Sequence, residues 1–256
     1  MRAAMMLRSA GMTDAGRVRR HNEDAFLDRR DIGLWAVADG MGGHARGDRA
    51  SGMIMERLDA IPVPASGAEL LGDVRRALAE VHGELRAEGR ALGDREMIGS
   101  TVVVLMIHGG RFVCLWAGDS RLYLLRDRQL WQITRDHSHV QELIDRGVIT
   151  EDQARDHPAA NIITRAVGAF GDLALEMEAA AVLPGDRFLL CTDGIARCVG
   201  DGEIADVIAN FPAPRAVQTL KTLALSRNAP DNIAAVALAC DAIEDVTLTP
   251  WSRPHG

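Results

Sequence analysis

Aromatic residues are scarce in this 256-residue chain: four Trp, five Phe and one Tyr make up 4% of it. Stacking platforms for single-stranded nucleic acid are therefore poorly supplied. Lysine is nearly missing; Lys221 is the only one, and the other strongly basic residues are arginines. The net charge is −7, with 36 acids against 29 Lys and Arg, so the basic footprint of a nucleic-acid binder is absent. Cysteine is limited to Cys114, Cys191, Cys198 and Cys240, with no C-x-x-C pair. Three of these sit in apolar runs, and all read as free thiols of a reducing compartment. No apolar run approaches the ~20 residues of a membrane helix, and the apolar part of residues 1–7 is too short for a signal segment. There is no P-loop, no H-E-x-x-H and no internal repeat. A cytoplasmic protein is expected, with no nucleic-acid and no membrane partner.

The composition that remains, 47% hydrophobic and 25% charged, is that of an ordinary folded domain. Apolar runs at 34–38, 101–107, 111–117, 121–125, 129–133, 187–191 and 233–240 read as strands. His108-Gly109-Gly110 and Arg126-Asp127-Arg128 turn neighbouring runs into hairpins. Leu71, Val74, Leu78, Val81 and Leu85 form one apolar stripe and predict a helix over 70–85. Further helices are predicted over 48–58 and over 213–226, the latter with Pro214 near its start. Hairpins mixed with long helices predict an α+β architecture, antiparallel sheets covered by helices. Nothing reads as an interdomain linker, so one domain is expected.

The acids fall in a pattern. Asp39 and Asp193 each follow an apolar strand and precede Gly; Asp119 follows Gly118 at a strand end; Asp231-Asn232 precedes a strand; Glu23-Asp24 precedes a short run. Strand ends of a layered fold meet at one edge, so these carboxylates converge. Converging carboxylates repel and raise one another's pKa. Oxygen-only clusters of this kind suit Mg²⁺ or Mn²⁺. Each Asp-Gly alone also reads as a plain turn. A rival reading takes 40–45 as G-x-G-x-x-A with Asp59 further on, a dinucleotide fingerprint. It would set Asp39 against a pyrophosphate, and Asp59 ends a helical pattern rather than a second strand.

Seven blocks of the sequence resemble the bacterial metal-dependent protein Ser/Thr phosphatases of type 2C (the PPM family), in that family's order. They are Arg19-Arg20-His21-Asn22-Glu23-Asp24, then Asp39-Gly40-Met41-Gly42-Gly43-His44, Gly99-Ser100-Thr101 and Gly118-Asp119-Ser120-Arg121, followed by Asp136-His137-Ser138, Cys191-Thr192-Asp193-Gly194 and Asp231-Asn232. The resemblance implies a four-layer α-β-β-α sandwich, two antiparallel sheets with helices on both outer faces. It implies a catalytic domain over 1–243 with a flap at about 138–170, and a C-terminal tail over 244–256. It also implies two Mn²⁺ or Mg²⁺ ions per site and a weaker third. Asp39 would bridge the two ions, Asp193 and Asp231 would complete one shell, and the Gly40 carbonyl would bind the other. Glu23 and Asp24 would act through water or from beside it. Asp119 with Asp193 would hold the third ion, and Arg19 would grip the substrate phosphate.

The implied reaction is hydrolysis of phosphoserine and phosphothreonine by a metal-bridging hydroxide, reversing the work of a cognate Ser/Thr kinase. Some compact members belong to kinase–phosphatase pairs that control secretion machinery. His44 is the candidate general acid; in eukaryotic relatives the acid His directly follows D-G, where this chain has Met41, so a solvated loop histidine is the alternative. His137 and His139 read as flap contacts or surface loop residues, His82 and His108 as solvent-facing, and Arg165 as a residue that seals the flap. Two departures stand out: Ala234 replaces the Thr of D-N-I-T, and 194–198 reads G-I-A-R-C where the family has G-L-T-D. Neither removes an expected ligand, although both remove groups that would support the shell. A catalytically dead phosphoprotein reader is the second reading, and loss of a ligand would have favoured it. No sensor domain or anchor is read beside the domain, leaving regulation to the flap or to other proteins.

Overall fold

The computed structural model describes residues 5–42, 46–93, 97–155 and 157–242. His44 and the 244–256 tail lie outside the described residues. The chain begins with β1 (Met5–Asp14), β2 (Asp24–Arg29) and β3 (Leu34–Met41), then α1 (Gly47–Asp59) and α2 (Gly67–Leu92). There follow β4 (Gly99–Ser100), β5 (Val102–His108), β6 (Arg111–Ala117), β7 (Arg121–Arg126) and β8 (Gln129–Gln132). Next come α3 (His139–Asp145), α4 (Glu151–Arg155), β9 (Glu176–Ala181) and β10 (Arg187–Cys191). The last elements are α5 (Asp193–Ala196), α6 (Asp201–Asn210), α7 (Ala213–Ser226) and β11 (Ile233–Ala242).

Two antiparallel sheets result. One runs β1-β11-β10-β7-β8, the other β2-β3-β5-β6-β9 with β4 paired to β3. Side chains alternate faces along each strand, and that period sorts them into three cores. On β3, Trp35 and Val37 face the opposite sheet, while Leu34, Ala36 and Ala38 face α1 and α2. On β10, Phe188 and Leu190 face the first sheet's partner, while Leu189 and Cys191 face α5, α6 and α7. Trp35, Leu105, Leu122, Phe188 and Val236 form the layer between the sheets. Each fully buried side chain of this kind contributes ~1.5–3 kcal/mol. The order is helices, sheet, sheet, helices, the four-layer sandwich that the resemblance implies. The indole nitrogen of Trp35 donates to Asp28 Oδ1 at 2.8 Å, and Ser9 Oγ donates to the same oxygen at 2.7 Å. That carboxylate ties β1 of one sheet to β2 of the other.

The dinucleotide reading fails here: its sheet is parallel, whereas β3 lies between antiparallel neighbours. Asp59 ends α1 and pairs with Arg29.

Strands β1 and β9 and helices α5 and α6 escaped the sequence reading. Strand β1 has no apolar run, yet it pairs with β11 along its whole length. Strand β9 is mostly Ala and Glu and is held by β6. Helix α6 carries Ile204, Val207 and Ile208 on one buried face, a 3–4 spacing that was there to be read.

Residues 138–167 form a partly helical excursion, the character expected of them. It carries α3 and α4 and is stitched by bridges Ser138–Ile163 and Ser100–Val167. His82 corrects its sequence reading: it is 7% exposed. Its Nδ1 accepts from Gly168 N–H at 3.0 Å, and Nε2 meets the Gly171 carbonyl at 3.1 Å. The returning flap covers it, which helix periodicity alone does not reveal. His137 is also buried, stacked on Trp116, with Nδ1 accepting from Gly118 N–H at 3.1 Å. Burial, then Arg165, pushes its pKa down. Arg165 Nη1 donates to Glu176 Oε1 at 2.7 Å, a sealing contact. His139 is half-buried and His108 exposed.

Candidate active site

Pairing of β2 with β3 sets Asp24 opposite Asp39. Like charges directly opposed destabilise a sheet, so something must hold them. The backbone of Asp39 is gripped from β4 and the start of β5. Thr101 Oγ1 accepts its N–H at 3.0 Å, and its carbonyl takes Thr101 N–H and Ser100 Oγ, both at 2.9 Å. Thr192 Oγ1 donates to Asp24 Oδ2 at 2.7 Å across the two sheets. Asp193 opens α5 directly after it. Asp119 sits in the β6–β7 turn after Gly118, whose φ of +117° admits no side chain: a Cβ there would strike Thr101.

Gly40 marks a close approach of backbones. Its N–H donates to the Glu23 carbonyl at 3.0 Å, and a Cβ would overlap the Gly47 carbonyl. Glu23 turns its carboxylate to the start of α1, where Oε1 accepts from Gly47 N–H at 3.2 Å. There it completes an orphan helix donor and stands beside the other acids rather than among them. Asp231 accepts from Arg19 Nη2 at 2.8 Å, and the Arg19 side chain stays 55% exposed.

Asp24, Asp39, Asp119, Asp193 and Asp231 thus converge from five places in the chain. Burial pushes the carboxyls of Asp24, Asp39 and Asp193 above the usual range. For Asp39 the charges of Asp24, Asp193, Asp119 and Asp231 add to it. Asp119 is pushed up to about 7, by burial first and Asp193 next. Oδ1 of Asp24, of Asp119 and of Asp193 is buried and receives no hydrogen bond. Among the described residues, no three His, Cys, Asp or Glu side chains stand close enough together to hold a metal ion as they are placed, and arginines pair with part of the group. Arg197 Nη2 lies 3.0 Å from Asp193 Oδ2 and 3.7 Å from Asp119 Oδ2.

Sequence reasoning passed over the residues that fasten these acids. Thr192 and Asn232 were read only as letters in a block, and Arg197 only as a departure. Asn232 is 5% exposed and fully used. Its Nδ2 donates to the carbonyls of Ala15 and His21, both at 2.9 Å, and its Oδ1 accepts from Glu23 N–H at 2.9 Å. It clips the Arg19 loop to β11. Asn232→Ala leaves three partly buried backbone groups without their partner and is expected to cost about 2–3 kcal/mol, read as a lower urea midpoint. Asn232→Asp, which keeps only the acceptor, should fall no less than half as far.

A sandwich of this layering, with oxygen-only acids gathered at one edge of its sheets, has the architecture of the metal-dependent phosphatases. The chain belongs to the protein phosphatase 2C family, whose model matches residues 15–235. It is 36% identical over 236 residues to the Ser/Thr protein phosphatase PstP of Mycobacterium tuberculosis, covering 92% of this chain and 45% of that protein's length. Among solved structures it resembles "PppA, a key regulatory component of T6SS in Pseudomonas aeruginosa", at 46% identity and a TM-score of 0.84, covering 91% of this chain and 97% of that one. It also resembles the catalytic domain of PstP in complex with two manganese ions, at 34% identity and a TM-score of 0.79, covering 93% of this chain and 100% of that one.

Proposed function

We propose that this chain is a Mn²⁺- or Mg²⁺-dependent protein Ser/Thr phosphatase that removes phosphate from phosphoserine and phosphothreonine and opposes a cognate kinase. The observation that carries this is the set of three buried carboxylate oxygens without a hydrogen-bond donor, on Asp24, Asp119 and Asp193. Buried anionic oxygens are costly unless paired, and an oxygen-only set fits hard divalent cations. Asp39 would hold both ions, Asp193 and Asp231 one of them, and the Gly40 carbonyl the other, with Asp24 and Glu23 beside them. When bound, such ions lower the pKa of water and neutralise charge on the phosphoryl group.

The chain's own groups have distinct tasks. Thr192 fixes the Asp24 carboxylate, and the Ser100-Thr101 clamp fixes Asp39. Arg19 presents a planar fork suited to phosphate oxygens, and Asp231 keeps it aimed across the acids. His44 is the proposed donor of a proton to the leaving alkoxide. The proposed catalytic domain spans 1–243, with the flap at 138–170 shaping access. Among the described residues no helix is long and apolar enough to cross a membrane. The four cysteines are free, which supports a reducing, cytoplasmic setting.

The test is phosphate release from a phosphothreonine peptide by metal-stripped protein given Mn²⁺, Mg²⁺ or neither. Release that appears only with a divalent ion is the expected result. A folded sample inactive with every ion would instead favour the phosphoprotein reader.

A further inference from the structure

The block that 191–194 resembles usually runs on as D-G-L-T-D, and Arg197 stands here at the position of its closing acid. The substitution reverses a charge four residues after Asp193. On α5 and its C-cap that spacing folds the side chain back over the Asp193 carboxylate. One guanidinium nitrogen thereby lies 3.0 Å from Asp193 Oδ2 and 3.7 Å from Asp119 Oδ2. These two acids are the pair on which the resemblance sets a weaker third cation. The same head also reaches the flap: Nη1 donates to Asn161 Oδ1, and Nη2 donates to the Ala160 carbonyl at 3.3 Å.

We propose that Arg197 takes the place of the third cation in this chain, as a fixed guanidinium between Asp119 and Asp193, and thereby latches the flap to the acids. This rests on the two-cation reading above. A third divalent ion would have to compete with Arg197 for Asp193 Oδ2, paired at 3.0 Å, and displace it from beside Asp119 Oδ2, 3.7 Å away. It would also sit against the positive charge of Arg197, a half-exposed guanidinium laid over two buried acids, and like charges repel. Oδ1 of Asp193, the acid of the pair that serves a principal ion, receives no hydrogen bond and stays available to that ion. A guanidinium cannot lose its charge and has donors on several edges, so it joins acids and flap as no hydrated ion held by two carboxylates would.

Equilibrium dialysis against Mn²⁺ with metal analysis, run on the wild type, Arg197→Ala, Arg197→Asp and Arg197→Lys, tests the first half. Amide exchange across 157–165 tests the second. The expected result is two ions per wild-type chain and a third, weaker ion in Arg197→Asp. Exchange in the flap should quicken roughly tenfold in Arg197→Ala, the loss of a charged hydrogen bond. Arg197→Lys keeps a charge in place, so it should fold, exclude the third ion and still loosen the flap. Three ions on the wild type would overturn the proposal. So would an Arg197→Asp protein that binds two, or flap exchange unchanged in both Arg197→Ala and Arg197→Lys. A folded wild type that binds no Mn²⁺ refutes the two-cation reading itself, a different failure.

Discussion

Asp39→Asn is expected to lower metal-stimulated phosphate release by about 10³-fold or more, the scale on which removal of a central electrostatic group acts. The same change should stabilise the metal-stripped protein. Burial and four neighbouring acids all oppose the charge on Asp39, and no cation faces it closely enough to offset them. An isosteric neutral amide removes that repulsion while leaving the backbone clamp of Ser100 and Thr101 intact. A gain of about 1–3 kcal/mol is expected, measured as a higher urea midpoint in chelator. Activity within tenfold of wild type would sink the assignment of Asp39. A stability loss beyond about 1 kcal/mol would show that its charge is structurally compensated.

The metal-stripped protein should also respond to pH in the opposite sense to ordinary acid denaturation. Asp119 is held at about 7 in the folded chain, against about 3.9 when unfolded. The folded state therefore keeps a proton that the unfolded state releases. Its stabilising contribution is complete below pH ~4 and is lost as pH rises through about 7, a difference of about 4 kcal/mol. The raised carboxyls of Asp24, Asp39 and Asp193 act in the same direction. His137 works against them within this range, since its pKa is lowered, while the lowered carboxyls of Asp14, Asp31, Glu88, Glu176 and Glu203 act mostly below pH 5. The unfolding free energy from urea titrations in chelator should rise from pH 8 to pH 5 by about 2–3 kcal/mol, with a higher midpoint. Saturating Mn²⁺ should invert the trend, because its carboxylate ligands must be deprotonated to bind. Midpoints that fall on acidification in chelator would refute the account.

The acids were legible in the sequence because each one terminates or precedes a strand, a local signal that needs no partner. Strands at 34–38 and 187–191 were legible because both faces are buried, so they read as continuous apolar runs. What supports the acids was not legible. Thr192 meets Asp24 across 168 positions, and Asn232 meets Glu23 across 209. Neither residue type announces such a contact. His82 and His137 looked like loop or surface histidines because what buries them, the flap and the β6–β7 turn, comes from elsewhere in the chain. Strand β9 has no propensity signal of its own and exists because β6 offers it an edge. Arg197 showed the converse: the sequence flagged a departure, and only the fold gave it two carboxylates to neutralise.

The pairing of β1 with β11 carries a consequence for the chain during synthesis. The first strand finds its partner only when residues 233–242 have been made, and the acids are drawn from positions 24 to 231. A ribosome-bound fragment can assemble the β2-β3-β5-β6 sheet early. It still lacks Asp231, the Asn232 clip and the strand that closes the other sheet. Domains with such long-range pairing fold slowly and late. Assembly of the acid cluster is therefore withheld from the nascent polypeptide until residues 231–242 have been made, and a product truncated before them lacks both Asp231 and the closing strand.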